Sequence, residues 1–202
     1  DLPKTSDIRK PLHKKLIYEK YAAELSGNKK DKFDADISRM IITNEISEAS
    51  VNIKATEDIS AIFVLQVELK RKEYDDKNII MISKLFGQKL LIVLNYENEY
   101  QLAIYETRLL KSDWKNEEEI SLKLNGLDLG RVWDNFVTQV SDINVQAGNT
   151  LVEQINVEAE KEKLRKQIDD LELKARKEVQ SKKKFEMVQR LQQFSRKLKE
   201  IV

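Results

Sequence analysis

Asp58, Glu68 and Lys70 are the side chains whose types and spacing could do chemistry together. An acid, then an acid-x-Lys step on a strand, is how some metal-dependent nucleases work. Their carboxylates hold Mg²⁺ while the lysine orients the attacking water. Residues two apart share a strand face, so Gln66, Glu68 and Lys70 stand opposite Phe63, Leu65, Val67 and Leu69. The same alternation also describes any half-exposed strand. The run continues as Arg71-Lys72-Glu73, as a solvated strand end would. Two readings follow: a catalytic Asp58, Glu68, Lys70 site, or a wet or partner-docking sheet face.

Other chemistries find less to work with. His13 is the only histidine and there is no cysteine, which excludes disulfides, thiolate metal sites and thiol nucleophiles. His13 lies beside Lys14 and Lys15 in a basic arm and reads as a surface residue. Gly27, Gly87, Gly126, Gly130 and Gly148 stand apart, with no Walker or dinucleotide pattern among them. Trp114 and Trp133 read as core anchors.

The second informative region is the tail. The last 45 residues hold 14 basic and 9 acidic side chains and no glycine, proline or tryptophan. Leu164, Ile168, Leu171 and Ala175 recur at alternating four- and three-residue steps, the period of a coiled-coil seam. The seam loses phase between Arg176 and Lys184 and resumes with Phe185, Val188, Leu191, Ser195 and Leu198. The tail is then one interrupted helix or a helical hairpin. Its expected partner-binding residues are Leu164, Ile168, Leu171, Phe185, Val188, Leu191 and Leu198. Lys182, Lys183, Lys184 and Arg190 could contact phosphates, or merely solubilise a helix pair.

The elements that must position these residues follow from periodicity. A chain of 202 residues with 41% hydrophobic side chains holds one ordinary domain plus an appendage. Pro11 suits the first turn of a helix with Leu12, Leu16, Ile17, Tyr21 and Leu25 as its stripe. A second helix is expected from Asp31 to about Glu45. Short strands are expected at Val51–Ile53 and Glu119–Leu124, and longer ones at Ile59–Arg71, Lys89–Leu94 and Tyr100–Thr107, with a turn at Glu97-Asn98. Asp75–Phe86 and Asp128–Ile143 carry helical spacing. The reading is an α+β fold, with a mixed or antiparallel sheet in residues 1–147 and a coiled-coil-like arm in residues 148–202. Ser141–Thr150 is the expected linker. No apolar run could span a bilayer, and the opening residues lack a signal-peptide core. A cytoplasmic protein is therefore expected.

Several stretches together resemble a bacterial family, the domain of unknown function numbered 4391. They are Leu2–Thr5, Ile8–Lys15, Ile46–Ile53, Phe63–Lys70, Lys84–Leu94, Tyr100–Tyr105 and Ala175–Gln180. The chain departs from the family pattern near Ser83–Gln88. The resemblance implies a setting beside helicase-like ATPases and DNA methyltransferases, in phage-defence-like gene clusters, and brings no catalytic residues with it. The expected function is a non-enzymatic accessory subunit that binds a larger helicase-type partner, or a second copy of itself, through the arm. No cofactor is then needed. The alternatives are a Mg²⁺-dependent restriction-endonuclease-like nuclease and a DNA-binding module.

Overall fold

Strand β3 (Ala61–Leu69) and strand β4 (Lys89–Tyr96) run parallel at the centre of a mixed sheet. Parallel neighbours need a crossover, supplied by helix α4 (Asp76–Leu85), whose apolar residues recur at helical spacing. The computed structural model describes residues 2–143, 145–146 and 148–201. Of the expected linker, Asn144 and Ala147 lie outside the described residues. The chain divides into two compact units, 1–142 and 143–202.

In the first unit β1 (Asp7–Pro11) pairs antiparallel with β2 (Ile37–Ser47), and β2 with β3. Beyond β4 come β5 (Glu99–Tyr105) and β6 (Leu109–Lys111), both antiparallel, with β7 (Lys115–Asn116) also on β5. Helices α1 (Lys14–Lys20), α2 (Asn28–Asp36) and α4 share a core with one face of this sheet. That core includes Ile17, Phe33, Met40, Leu65, Ile79 and Ile92. Helix α5 (Leu129–Ser141) packs against β3, β5 and β6. Its Leu129, Val132, Trp133, Phe136, Val137 and Val140 are all buried, each contributing about 1.5–3 kcal/mol. Asp128 caps it, accepting from the Arg131 amide. Gly126, at φ +152°, lets the preceding loop close on α5, since a Cβ there would meet the Val132 nitrogen at 2.6 Å.

The architecture is α+β, as read from the sequence, but four local expectations change. The helix expected over 31–45 stops at Asp36, and 37–47 is strand β2. Phe33, Ile37, Met40 and Ile41 imitate a helical stripe across the junction. The β-branched run Ile41-Ile42-Thr43 instead suits a place between β1 and β3. Pro11 does not open a helix. It closes β1 on the sheet edge, where a missing N–H costs little, and α1 ends at Lys20. Val51–Ile53 is not a strand: Val51 ends the short helix α3 (Glu48–Val51) and Asn52 follows in the left-handed region. Glu119–Leu124 lies outside the sheet. The Gln139 amide takes the place of a partner strand there, accepting from the Lys123 N–H at 2.8 Å and donating to its carbonyl at 3.0 Å.

The second unit is a helix pair, α6 (Leu151–Lys177) and α7 (Ser181–Glu200). Thr150 and Glu153 form a reciprocal capping box at the start of α6. Three residues, Glu178 to Gln180, reverse the chain, and Lys197 of α7 pairs with Glu160 of α6 at 2.9 Å. Of the two forms left open by the sequence, the tail is the hairpin.

Candidate functional site

The three residues read as a nuclease site are not brought together. Asp58 sits on the bend before β3, at the strand's N-terminal end, while Glu68 stands near its other end. At about 3.3 Å per residue, roughly 20 Å of strand separates them. One Mg²⁺ holds its oxygens at about 2.0–2.1 Å, so no single ion reaches both. Glu68 is already engaged, accepting from Arg39 Nε at 2.5 Å. Lys70 is exposed just past the strand end. Among the described residues no group of three or more histidine or carboxylate side chains could hold a metal ion. The donor set does not fit Mg²⁺.

The acid that the antiparallel β2–β3 pairing does bring to the Lys70 end is Asp36. It is fully buried and accepts from Arg71 Nε at 2.6 Å, the Asp75 amide at 2.9 Å and Asn78 Nδ2 at 2.8 Å. Its backbone carbonyl accepts from the Lys70 amide at 2.8 Å. With its lone pairs occupied, Asp36 fastens the end of β3 to the first turn of α4. Asp34 does the same for α1, accepting from Lys14 Nζ at 2.8 Å and the Tyr18 hydroxyl at 2.5 Å. Partial burial pushes its carboxyl up, but the Lys14 and Tyr18 bonds outweigh that and hold it below the usual range. Nothing in the local sequence marks Asp36, because the polar pattern of a helix end looks the same whether or not the acid is buried.

The helix pair presents the other candidate surface. Along α6, Leu164 and Ala175 are buried and Ile168 and Leu171 half-buried. Along α7 the half-buried apolar residues are Met187, Leu191, Phe194 and Leu198, again at four- and three-residue steps. Leu164 and Phe194 line one groove, with Ala159, Gln167 and Lys197. The seam therefore takes in Met187 and Phe194, which the sequence reading passed over. Phe185 and Val188, which it placed in the seam, are exposed at 63% and 39%. Spacing alone could not choose the register: 188, 191, 195 and 198 keep heptad steps as well as 187, 191, 194 and 198, and the packing of α7 on α6 decides.

No residue of α7 is buried. Lys182, Lys183, Lys184 and Arg190 are all exposed on it, and the helix holds seven basic against two acidic side chains. Gln154, by contrast, is a buried polar residue of α6 with its needs met. Its Oε1 accepts from the Gln146 amide and Asn149 Nδ2, and its Nε2 donates to Glu158. No helix among the described residues is long and apolar enough to cross a membrane.

Residues 1–198 match the family described as Domain of unknown function (DUF4391). No curated protein and no solved structure matches the chain.

Proposed function

We propose that this chain, which belongs to the DUF4391 family, is a non-enzymatic accessory subunit whose helix pair docks a larger protein. The observation that carries the reading is α7: twenty residues of amphipathic helix with none buried, and with Phe185 and Val188 bare among lysines. Two helices can cover only one side of each other's apolar stripe, so the rest awaits a third element. Charge argues against a second copy laid α7 on α7, because two strongly basic helices repel. It favours a partner with an acidic amphipathic segment. The gene setting implied by the family resemblance makes a helicase-type ATPase in a cytoplasmic, DNA-directed, defence-like complex the partner we put forward. DNA is then met mainly through that partner.

The test is co-expression of the full chain with helicase-type ATPase and methyltransferase proteins of the gene setting that the family resemblance implies, followed by size-exclusion chromatography with light scattering. The wild-type chain is expected to elute with the ATPase. The double variant Phe185→Glu, Val188→Glu is expected to elute alone while melting at the wild-type temperature, because both sites are exposed and such changes fall within about 0.5 kcal/mol. Co-elution undiminished in the variant would overturn the reading. So would Mg²⁺-dependent DNA cutting by the purified chain that Glu68→Ala abolishes.

A further inference from the structure

A cleft of about 470 Å³ opens on the outer side of α4, facing α2 and the turn between α1 and α2. Its floor is apolar, formed by Leu25, Ile80 and Met81 with the half-buried ring of Tyr21. Its rim carries four lysines: Lys29 and Lys32 from α2, Lys77 and Lys84 from α4. Among the described residues none of the four is in an ion pair. The chain elsewhere ties lysine to acid repeatedly, as at Lys14–Asp34, Lys72–Glu99, Lys89–Glu106 and Lys111–Asp76. Two carboxylates also line the cleft. Asp75 is committed to capping α4, accepting from the Lys77 amide at 2.9 Å, which leaves Glu24 as the acid free to offset the lysines.

Four lysines from two helices line one opening, Lys84 with its ammonium also 5.1 Å over the Tyr105 ring, and their like charges disfavour one another. An arrangement with that cost is relieved by a bound anion. The volume lies within the roughly 300–1,000 Å³ of small-molecule sites, and the lining has their usual form, an apolar bed with a few charged groups fixing orientation. An inorganic anion would leave the floor of Leu25, Ile80, Met81 and Tyr21 unused. A ligand that uses both parts carries at least two negative charges on a flat, largely apolar body. A peptide or an acyl chain would extend well beyond a cleft of this size.

We infer that this cleft binds a nucleoside phosphate, with the base on the Tyr21–Met81 floor and the phosphates among Lys29, Lys32, Lys77 and Lys84. Two sources share that chemistry: a free mononucleotide, and one nucleotide of a single-stranded nucleic acid. The site lies wholly in the sheet unit and stands apart from the docking role of the helix pair.

The experiment is titration of the full chain, by calorimetry with ATP, AMP and inorganic pyrophosphate, and by fluorescence anisotropy with a labelled oligothymidylate. Three variants accompany it: Lys32→Gln with Lys84→Gln, Met81→Glu, and Lys183→Gln on α7 as a charge control. Saturable binding of ATP or AMP with Kd below about 1 mM, weakened about tenfold or more by the lysine pair and by Met81→Glu but not by Lys183→Gln, supports the free-nucleotide form. Oligonucleotide binding with the same pattern of losses, and no mononucleotide binding, supports the nucleic-acid form. Pyrophosphate binding as tightly as ATP would overturn the proposal, since the floor would then contribute nothing. Absence of binding, or binding untouched by the cleft variants, would overturn it as well. The three lysines are exposed and half-buried Met81 lies at the cleft surface, so unchanged melting curves certify that the variants are folded.

Discussion

The sheet unit and the helix pair draw on similar side chains and use them differently. In residues 1–142 leucine, isoleucine, valine and phenylalanine disappear into two packed faces, and Asp36, the one fully buried carboxylate among the described residues, has every partner it needs. In residues 143–202 burial among the described residues is confined to Ile143, Gln154, Ile155, Leu164 and Ala175. The difference is geometric. A sheet covered by helices encloses volume, whereas two helices enclose only the line along which they touch. Stability is therefore concentrated in the first unit, and apolar surface that other molecules can use is concentrated in the second.

Substitutions at four positions would break or sharpen that contrast. The largest effect is expected from Phe136→Ala in α5. Its ring is fully buried, and truncation should cost about 3–5 kcal/mol in urea unfolding. Asp36→Ala should follow at about 3 kcal/mol, since it leaves the buried Asn78 amide and the Asp75 N–H without acceptors. Asp36→Asn, keeping part of that network, should cost visibly less. Leu164→Ala in α6 should cost only about 2 kcal/mol, read as faster amide exchange confined to α6 and α7. A loss as large as that of Phe136→Ala, spread over the whole chain, would mean the helix pair is as well packed as the sheet unit.

The smallest effect is expected at the α6 cap. Thr150→Ala should cost about 1 kcal/mol, seen as exchange in the first turn of α6 alone. Hydrogen bonds from Thr150, its backbone N–H first, hold the Glu153 carboxyl below its ordinary value. A depressed carboxylate stabilises the folded state above its unfolded pKa, and that contribution disappears as pH falls through the folded value. Acidification below the usual glutamate range should therefore loosen the same turn, and Thr150→Ala, which keeps the backbone N–H but loses the hydroxyl, should lessen that pH dependence without abolishing it. An unchanged acid response in the variant would rule out the Thr150 hydroxyl as a contributor to it.

Much of this was legible in the residues. The continuous apolar run of β4, the alternation of β3 and the six-residue stripe of α5 are each long enough to set their own period. Where the reading failed, two periods overlapped or a side chain stood in for an element. Ile37, Met40 and Ile41 satisfy a helix and a strand equally, and the strand expected at Glu119–Leu124 found its hydrogen bonds in the Gln139 side chain. The candidate sites were less legible than the fold. Glu68 and Lys70 do share a sequence pattern with metal sites, but the acid that could complete one is set by which strand ends are neighbours. That end holds Asp36, with its oxygens already taken.

By itself the sequence determined an α+β domain followed by long amphipathic helices, because hydrophobic period and breaker residues act locally along the chain. Only the tertiary structure decided that residues 37–47 join the sheet and that Phe185 and Val188 fall outside the seam. It alone gathered Lys29, Lys32, Lys77 and Lys84 around one cleft. Those outcomes depend on which distant segments become neighbours, and no local pattern carries that information.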